Sequence, residues 1–210
     1  MNLSFPLYHG TSTYFLESIK MNGLGGRNLI KDLKAIEFLK DLEKLCDINL
    51  STIEKWQYGL KYPISLITSQ RVVHGGNFQN GSVYLTPSIY TATRYSKNKF
   101  GSEVLSEIFN TLNLLREYSI ALPKELEMLY RQIIELESRE FRPVVIEIPS
   151  IPISYLCSDE KGGSVESQIM KIEKYVNDYG IDRYQGFVQQ NNFRTDKVIP
   201  LELLIIKNVA

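Results

Sequence analysis

Hydrophobic spacing along the chain changes period several times, and each change marks an element. Phe5-Pro6-Leu7-Tyr8-His9 is a short apolar run closed by Gly10, which predicts a buried N-terminal strand. Thr11, Ser12 or Thr13 then caps a helix to about Met21, with Phe15, Leu16 and Ile19 on one face. Asn22-Gly23 stops that helix, and residues 25–28 form a glycine-rich loop. Leu29, Leu33, Ile36, Leu39, Leu42 and Leu45 recur at helical spacing through 29–46, with a shorter helix near 51–58. Residues 64–73 read as extended, and His74-Gly75-Gly76 through Asn80-Gly81 is turn chemistry. Ser82 to Thr86 is strand-like, and Pro87-Ser88 opens a helix that carries Ala92 and Tyr95 to Asn98.

Two long amphipathic helices come next. One presents Val104, Leu105, Ile108, Phe109, Leu112 and Leu115; the other starts at Pro123 and presents Leu126, Leu129, Ile133, Ile134 and Leu136. Val144 to Ile148 is a strand, Gly162-Gly163 lies in a loop, and a helix runs from about Ser164 to Tyr179. Two strands near 184–189 and 201–207 end the chain. Strands at both ends with helices between predict an α+β layout in one domain of 210 residues, with helical insertions at about 29–60 and 102–140.

Composition narrows the function classes. Lys plus Arg number 24 and Asp plus Glu 24, so the net charge is zero and bulk positive charge is not the means of gripping nucleic acid. Cys46 and Cys157 are far apart, with no CxxC and no paired His, which argues against a zinc site and fits a reducing cytoplasm. The N-terminus lacks a basic segment followed by an apolar run, and no window approaches the ~20 apolar residues of a membrane span, so a soluble, cytoplasmic protein is expected.

Two segments carry candidate chemistry. Tyr8-His9-Gly10-Thr11 ends the first strand: an imidazole can donate to a hydroxyl, and a glycine leaves its backbone open to a planar amide. Taken alone it is a strand end with a packed His. Gly81-Ser82-Val83-Tyr84-Leu85-Thr86, followed eleven residues after Tyr84 by Tyr95, offers two rings able to bracket a flat heterocycle. Taken alone these are packing tyrosines. His74 reads as a loop residue, the leucine stripe at 29–45 as core, and the Glu/Lys runs at 124–140 as solvated helix faces. Phe193, Arg194 and Lys197 are loop residues in reach of an acceptor.

In combination, HG[ST], a helix ending in a glycine turn, GxYxT and a helix with Ala and Tyr follow the order found in ADP-ribosyltransferases. The chain resembles the His-Tyr-Glu branch of that superfamily, that of the poly(ADP-ribose) polymerases and diphtheria-type toxins, over residues 7–27, 81–97 and, more loosely, 142–149 and 184–207. It is most similar in character to small bacterial toxin or defence members that modify nucleic acid. The resemblance implies a split antiparallel sheet core and NAD as substrate. It implies His9 on the adenosine-side ribose, the Gly10 backbone on the nicotinamide amide with Thr11 beside it, Tyr84 and Tyr95 around nicotinamide, and Arg27 as a phosphate or NAD contact.

One position departs from that pattern. The family's Glu opens a late strand before a Val/Ile-Pro segment; counting back from Pro200 puts Asn192 in its slot and Gln190 two residues earlier. That Glu stabilises positive charge as the glycosidic bond breaks, which an amide does without full charge. Three alternatives stand: a slow amide enzyme, an acid recruited from Asp159, Glu160, Glu166 or Asp196, or a module that binds NAD without transfer. The resemblance implies single-unit ADP-ribosylation of RNA, DNA or protein without a metal, by an intracellular toxin–antitoxin or antiviral defence effector with a neutralising antitoxin partner. Its rivals are an NAD glycohydrolase and an inactive NAD- or ADP-ribose-binding module. A tRNA 2′-phosphotransferase lacks support because its basic Arg-His-Arg set is missing, and a helical interaction domain would show no NAD affinity.

Overall fold

The computed structural model describes residues 2–73, 76–77, 82–158, 163–180, 183–189 and 191–209. The chain begins β1 (Leu7–Ser12), α1 (Thr13–Asn22), α2 (Leu29–Asp32), α3 (Ala35–Asn49), α4 (Lys61–Thr68), β2 (Val72–Val73) and β3 (Gly76–Asn77). It continues β4 (Val83–Leu85), α5 (Ile89–Ser96), α6 (Glu103–Glu117), α7 (Lys124–Leu129) and α8 (Arg131–Glu135). Last come β5 (Pro143–Ile148), β6 (Cys157–Ser158), α9 (Val165–Tyr179), β7 (Phe193–Thr195) and β8 (Ile205–Asn208). The fold is α+β, with nine helices and two small antiparallel three-stranded sheets among the described residues. Two compact units divide the chain: Met1–Arg27, Gly81–Ser102 and Phe141–Ala210 form the first, Asn28–Asn80 and Glu103–Glu140 the second.

The first unit holds both three-stranded sheets, β1-β5-β8 and β4-β7-β6. Period-two alternation gives β1 two faces. Leu7, His9 and Thr11 stand opposite Ile148, Ile146 and Val144, and that side closes on a core that includes Ile151, Ile172, Tyr184, Phe193 and Ile199. Tyr8 and Gly10 stand opposite Glu147 and Val145, and Tyr8, Val145 and Ala92 of α5 pack together on that side. The strand does not end at Gly10 as the apolar run predicts; it continues to Ser12. The glycine is required by packing, because a Cβ there would lie 2.1 Å from the Ala92 carbonyl oxygen and 2.8 Å from the Ser96 nitrogen. A side chain cannot stand where the backbone of α5 passes.

Local chemistry sets the other boundaries. Gly23, at φ 76°, ends α1, while Ser12 caps nothing and donates its hydroxyl to the Phe100 carbonyl at 2.8 Å. Ser88 and Ser164 cap α5 and α9 by accepting from Thr91 N and Ser167 N. The strand expected near 184–189 is a tight helical turn at Tyr184–Gly186, held by Tyr184 in the core with its hydroxyl 3.3 Å from the Pro87 carbonyl. The late strand forms at Phe193–Thr195 instead. Leu201–Leu203 after Pro200 is likewise a helical turn, and extended pairing begins only at Ile205.

In the second unit α3 packs against α6 and α4. The single helix expected over 29–46 breaks at Lys34, which is left-handed at φ 53°, so the buried seam is Ala35, Phe38, Leu39, Leu42 and Cys46. The extended reading of 64–73 holds only at Val72–Val73, which is β2: Lys55–Leu60 is a π-helical turn that runs into α4, where Ile64, Leu66 and Ile67 are buried. Buried Trp56 fixes this turn by donating Nε1–H to Asp47 Oδ1 at 3.0 Å. The helix expected from Pro123 onward is interrupted at Tyr130. That ring is buried and stacks on Phe38 with centroids 4.3 Å apart, while its hydroxyl donates to Asp41 at 3.0 Å. Packing of one aromatic side chain overrides helical periodicity there.

Candidate functional site

The Tyr8-His9-Gly10-Thr11 strand and the Ser82–Thr86 strand meet edge to edge. Tyr8 N–H donates to the Thr86 carbonyl at 2.8 Å, and Thr86 N–H returns to the Tyr8 carbonyl at 2.9 Å. This bridge joins the free edge of β1 to the end of β4. One residue on, His9 Nδ1 lies 2.9 Å from the Tyr84 carbonyl oxygen. A carbonyl only accepts, so the proton sits on Nδ1. Burial lowers the His9 pKa below its ordinary value, against a smaller raising effect of the Tyr84 hydrogen bond. The ring is therefore neutral near pH 7, and Nε2 is an acceptor. A ligand hydroxyl would donate to His9, the reverse of a ring that donates.

Gly10 lies two residues beyond Tyr8, so strand alternation turns its N–H and C=O toward the same edge of β1 that bonds Thr86. Thr11 is different. It is 3% exposed, opposite Val144, and its backbone groups turn toward β5. Tyr95 occupies the last turn of α5, beside the Ser96 nitrogen that overlies Gly10. It is 42% exposed, and the Arg94 guanidinium carbon lies 5.8 Å from its ring centroid. Arg27 is exposed and sits past the Leu24–Ile199 bridge. Its neighbour Gly25 faces the Val83 side chain, which places this loop by the start of β4 rather than the Thr86 end.

Asn192 directly precedes β7. The β4–β7 register pairs Leu85 with Phe193 and Tyr84 with Arg194, so Asn192 follows at the Thr86 end, where β4 meets β1. Its carbonyl accepts from Gln168 Nε2 at 3.3 Å. Gln168 is 3% exposed, and its Oε1 is the one buried side-chain polar atom without a partner among the described residues. An acceptor left in that state costs about 1–3 kcal/mol. Gln185 is similarly buried and accepts from Ile89 N at 2.6 Å, while the Thr91 hydroxyl donates to the Gln189 carbonyl at 3.1 Å. Buried amides thus tie α5, α9 and the segment before β7 to one another's backbones.

The alternative acids are placed as follows. Asp196 lies past the other end of β7, accepts from the Ser82 hydroxyl at 2.7 Å and faces Arg194 Nη1 at 3.6 Å. Glu166 is exposed in the first turn of α9. His74, Gly81, Asp159, Glu160, Gly162 and Gln190 fall outside the described residues. Glu147, an acid not singled out by motif, stands opposite Tyr8 on β5, and its carboxylate is ion-paired with Lys207. Burial, with Glu147 second, pushes the Tyr8 phenol up to about 12, so it stays protonated. Phe193, expected in a loop, is fully buried on β7 because its side of the β4-β7-β6 sheet faces the core; Arg194 is on the same strand. Lys197 donates to the Ser154 carbonyl at 2.7 Å, with its ammonium 5.2 Å from the Tyr155 ring centroid.

One signal for the missed amides was readable. Gln168 interrupts the Val165, Ile169, Ile172 and Val176 stripe of α9, and a polar residue on an apolar helix face has to find a partner inside. Among the described residues no group of three or more His, Cys, Asp or Glu side chains is arranged to hold a metal ion. Among them too, no helix is long and apolar enough to cross a membrane. Comparison with protein-family models, curated proteins and solved structures finds no match to this chain.

Proposed function

We propose that the chain is an NAD-dependent mono-ADP-ribosyltransferase acting on a macromolecular acceptor, nucleic acid ahead of protein. On this reading its two sheets are the split antiparallel core of that superfamily. The observation that carries the proposal is the His9 Nδ1–H bond to the Tyr84 carbonyl beside the Tyr8–Thr86 bridge. It makes two motifs far apart in sequence into one rigid corner. There His9 Nε2 is set to accept a ribose hydroxyl, and the edge-directed N–H and C=O of Gly10 form the donor–acceptor pair that a carboxamide needs. Tyr84 and Tyr95 supply aromatic faces for the heterocycle. Asn192 offers an amide where the resemblance expects a carboxylate, so bond cleavage at this site is slow. A cytoplasmic toxin or phage-defence effector, held in check by a neutralising protein, is the setting this activity fits.

A second reading has one observation in its favour. Asp196, the acid nearest in sequence to Asn192, is engaged with Ser82 and Arg194 beyond the far end of β7. That arrangement suits a module that binds NAD or ADP-ribose without transfer. Incubation with isotope-labelled NAD and separate protein, DNA and RNA pools separates the readings. Label on one pool, lost in His9→Ala and Tyr84→Ala, is the expected outcome. Nicotinamide release without label indicates a glycohydrolase, binding without release indicates the module, and the absence of both defeats the NAD reading.

A further inference from the structure

The β4-β7-β6 sheet has one face in the core and one turned outward. Val83, Leu85, Phe193 and Thr195 lie on the inner face; Leu85 and Phe193 are fully buried in the main core. The outer face carries the rung Tyr84–Arg194–Cys157, because directly paired residues of antiparallel strands share a side. Continuing the alternation back from Arg194 by two residues brings Asn192 to that face too. The His9 ring is anchored to the backbone of the same rung at the Tyr84 carbonyl.

Arg194 is thus the cation set beside Tyr84 on this face, in a directly opposed pair whose Cα atoms are roughly 4.5–5.5 Å apart. Its side chain is one-third exposed. Its guanidinium has five N–H donors in a planar fork. Nη1 reaches the Ser82 hydroxyl at 3.4 Å and faces Asp196 at 3.6 Å, beyond hydrogen-bond distance, and the remaining donors have no partner among the described residues. Neither contact is the bidentate grip an arginine makes with a carboxylate that neutralises it. Among the described residues nothing closes the fork to an anion with two or three acceptor oxygens.

We infer that Arg194 is a phosphate-binding residue of this site, holding the diphosphate of the dinucleotide whose base lies on Tyr84. The assignment rests on the NAD reading of the site and adds an anion contact from β7, with the guanidinium reaching the Ser82 end of β4 that the Arg27 loop also borders. Asp196 is a mild competitor for the same guanidinium.

The test is calorimetric titration of wild-type protein and Arg194→Gln with ADP-ribose, which carries the diphosphate, and with nicotinamide, which carries none. The expected result is ADP-ribose affinity down by about ten- to a hundredfold, the scale of a lost charge-assisted hydrogen bond, with nicotinamide affinity unchanged. The salt dependence of ADP-ribose binding flattens in the variant. Arg194→Lys recovers part of the affinity through charge alone, and Asp196→Asn tightens binding a few-fold. Equal weakening of both ligands would mark Arg194 as structural and overturn the assignment. So would unchanged ADP-ribose affinity combined with lost label transfer to an oligonucleotide, because the fork would then hold the acceptor's phosphate. Wild-type protein that binds neither ligand would instead defeat the NAD reading itself.

Discussion

The two units use polar side chains in opposite ways. In the sheet-bearing unit several are buried or half-buried and bond to backbone: His9 to Tyr84, Ser12 to Phe100, Gln185 to Ile89, Gln168 to Asn192. In the helical unit several of the charged side chains pair with one another at the surface, as in Lys55–Glu117, Lys61–Asp47 and Arg116–Glu137, over a core of leucine and phenylalanine. Backbone fixed by buried polar groups is costly to disturb and holds side chains in one geometry. A helical seam fixed by apolar contact is tolerant of its surface. The lesson is that the first unit is built for preorganisation and the second for burial.

The strongest way to break that contrast uses one glycine from each unit. Gly10→Ala would put a methyl 2.1 Å from the Ala92 carbonyl oxygen, backbone against backbone, with no flexible side chain to give way. A loss of about 1–3 kcal/mol or more is expected, seen as a lower midpoint in urea denaturation, together, on the proposed reading, with loss of NAD binding as α5 is pushed off β1. Gly59 lies in the π-helical turn of the second unit and has nothing within 4 Å of the added carbon. Gly59→Ala is expected to be neutral or to stabilise by about 0.5–1 kcal/mol, with ligand affinity unchanged. A tolerated Gly10→Ala would show that the close approach of α5 does not constrain β1.

Those two glycines also show what the sequence makes legible. Gly10 was readable as special, but its reason was not: a residue needed for helix packing looks the same in sequence as a strand terminator. Elements with a clean period were legible, including α1, α5, α6, α9, β4 and β5. Errors fell where tertiary packing overrides local pattern. Buried Tyr130 breaks a helix that Leu126, Leu129 and Ile133 would continue, and Tyr184 turns an apparent strand into a core anchor. Ile64–Thr68 looks extended because it is β-branched and apolar, yet it belongs to α4. In the site, motif order assigned His9 and Tyr84 to one ligand, whereas the hydrogen bond between them, Gln168, Gln185 and the outward face of Arg194 depend on strand register. Register is set by contacts across the sheet, and no single strand of three residues specifies it.

Acid should act on the two units with opposite sign. Burial depresses the His9 pKa, so the unfolded ring takes its proton first as pH falls through its ordinary value of about 6.5. Stability from His9 is therefore fully present above that value and is lost as pH falls toward the lower folded one. Glu107 in α6 is the reverse case: burial raises its carboxyl, with a smaller opposing effect from Asn110. The folded state binds that proton first, so stability from Glu107 is gained as pH falls through its raised value. Urea midpoints between pH 7.5 and 4.5, on wild type, His9→Gln and Glu107→Gln, read the two effects. The first variant should lose part of the fall near pH 6, and the second should lose part of the compensation at lower pH. Parallel curves for wild type and His9→Gln would mean that the ring is not held neutral.

Smaller effects are expected at charge pairs, beginning with a bidentate one in the helical unit. Arg116 Nη1 and Nη2 reach Glu137 Oε1 and Oε2 at 2.7 and 2.6 Å, a bidentate fork between α6 and the turn at Leu136–Ser138. The geometry is bidentate, but the Arg116 side chain is half exposed, and solvent screens what the geometry gains. A double-mutant cycle with Arg116→Ala and Glu137→Ala should give a coupling of about 0.2–1 kcal/mol, fading in high salt. The same cycle run on Arg194 and Asp196 in the sheet unit should give less still, because that pair is 3.6 Å apart and monodentate. If it gave more, Asp196 would be the true partner of the Arg194 fork, and the guanidinium would no longer be free to hold a ligand phosphate.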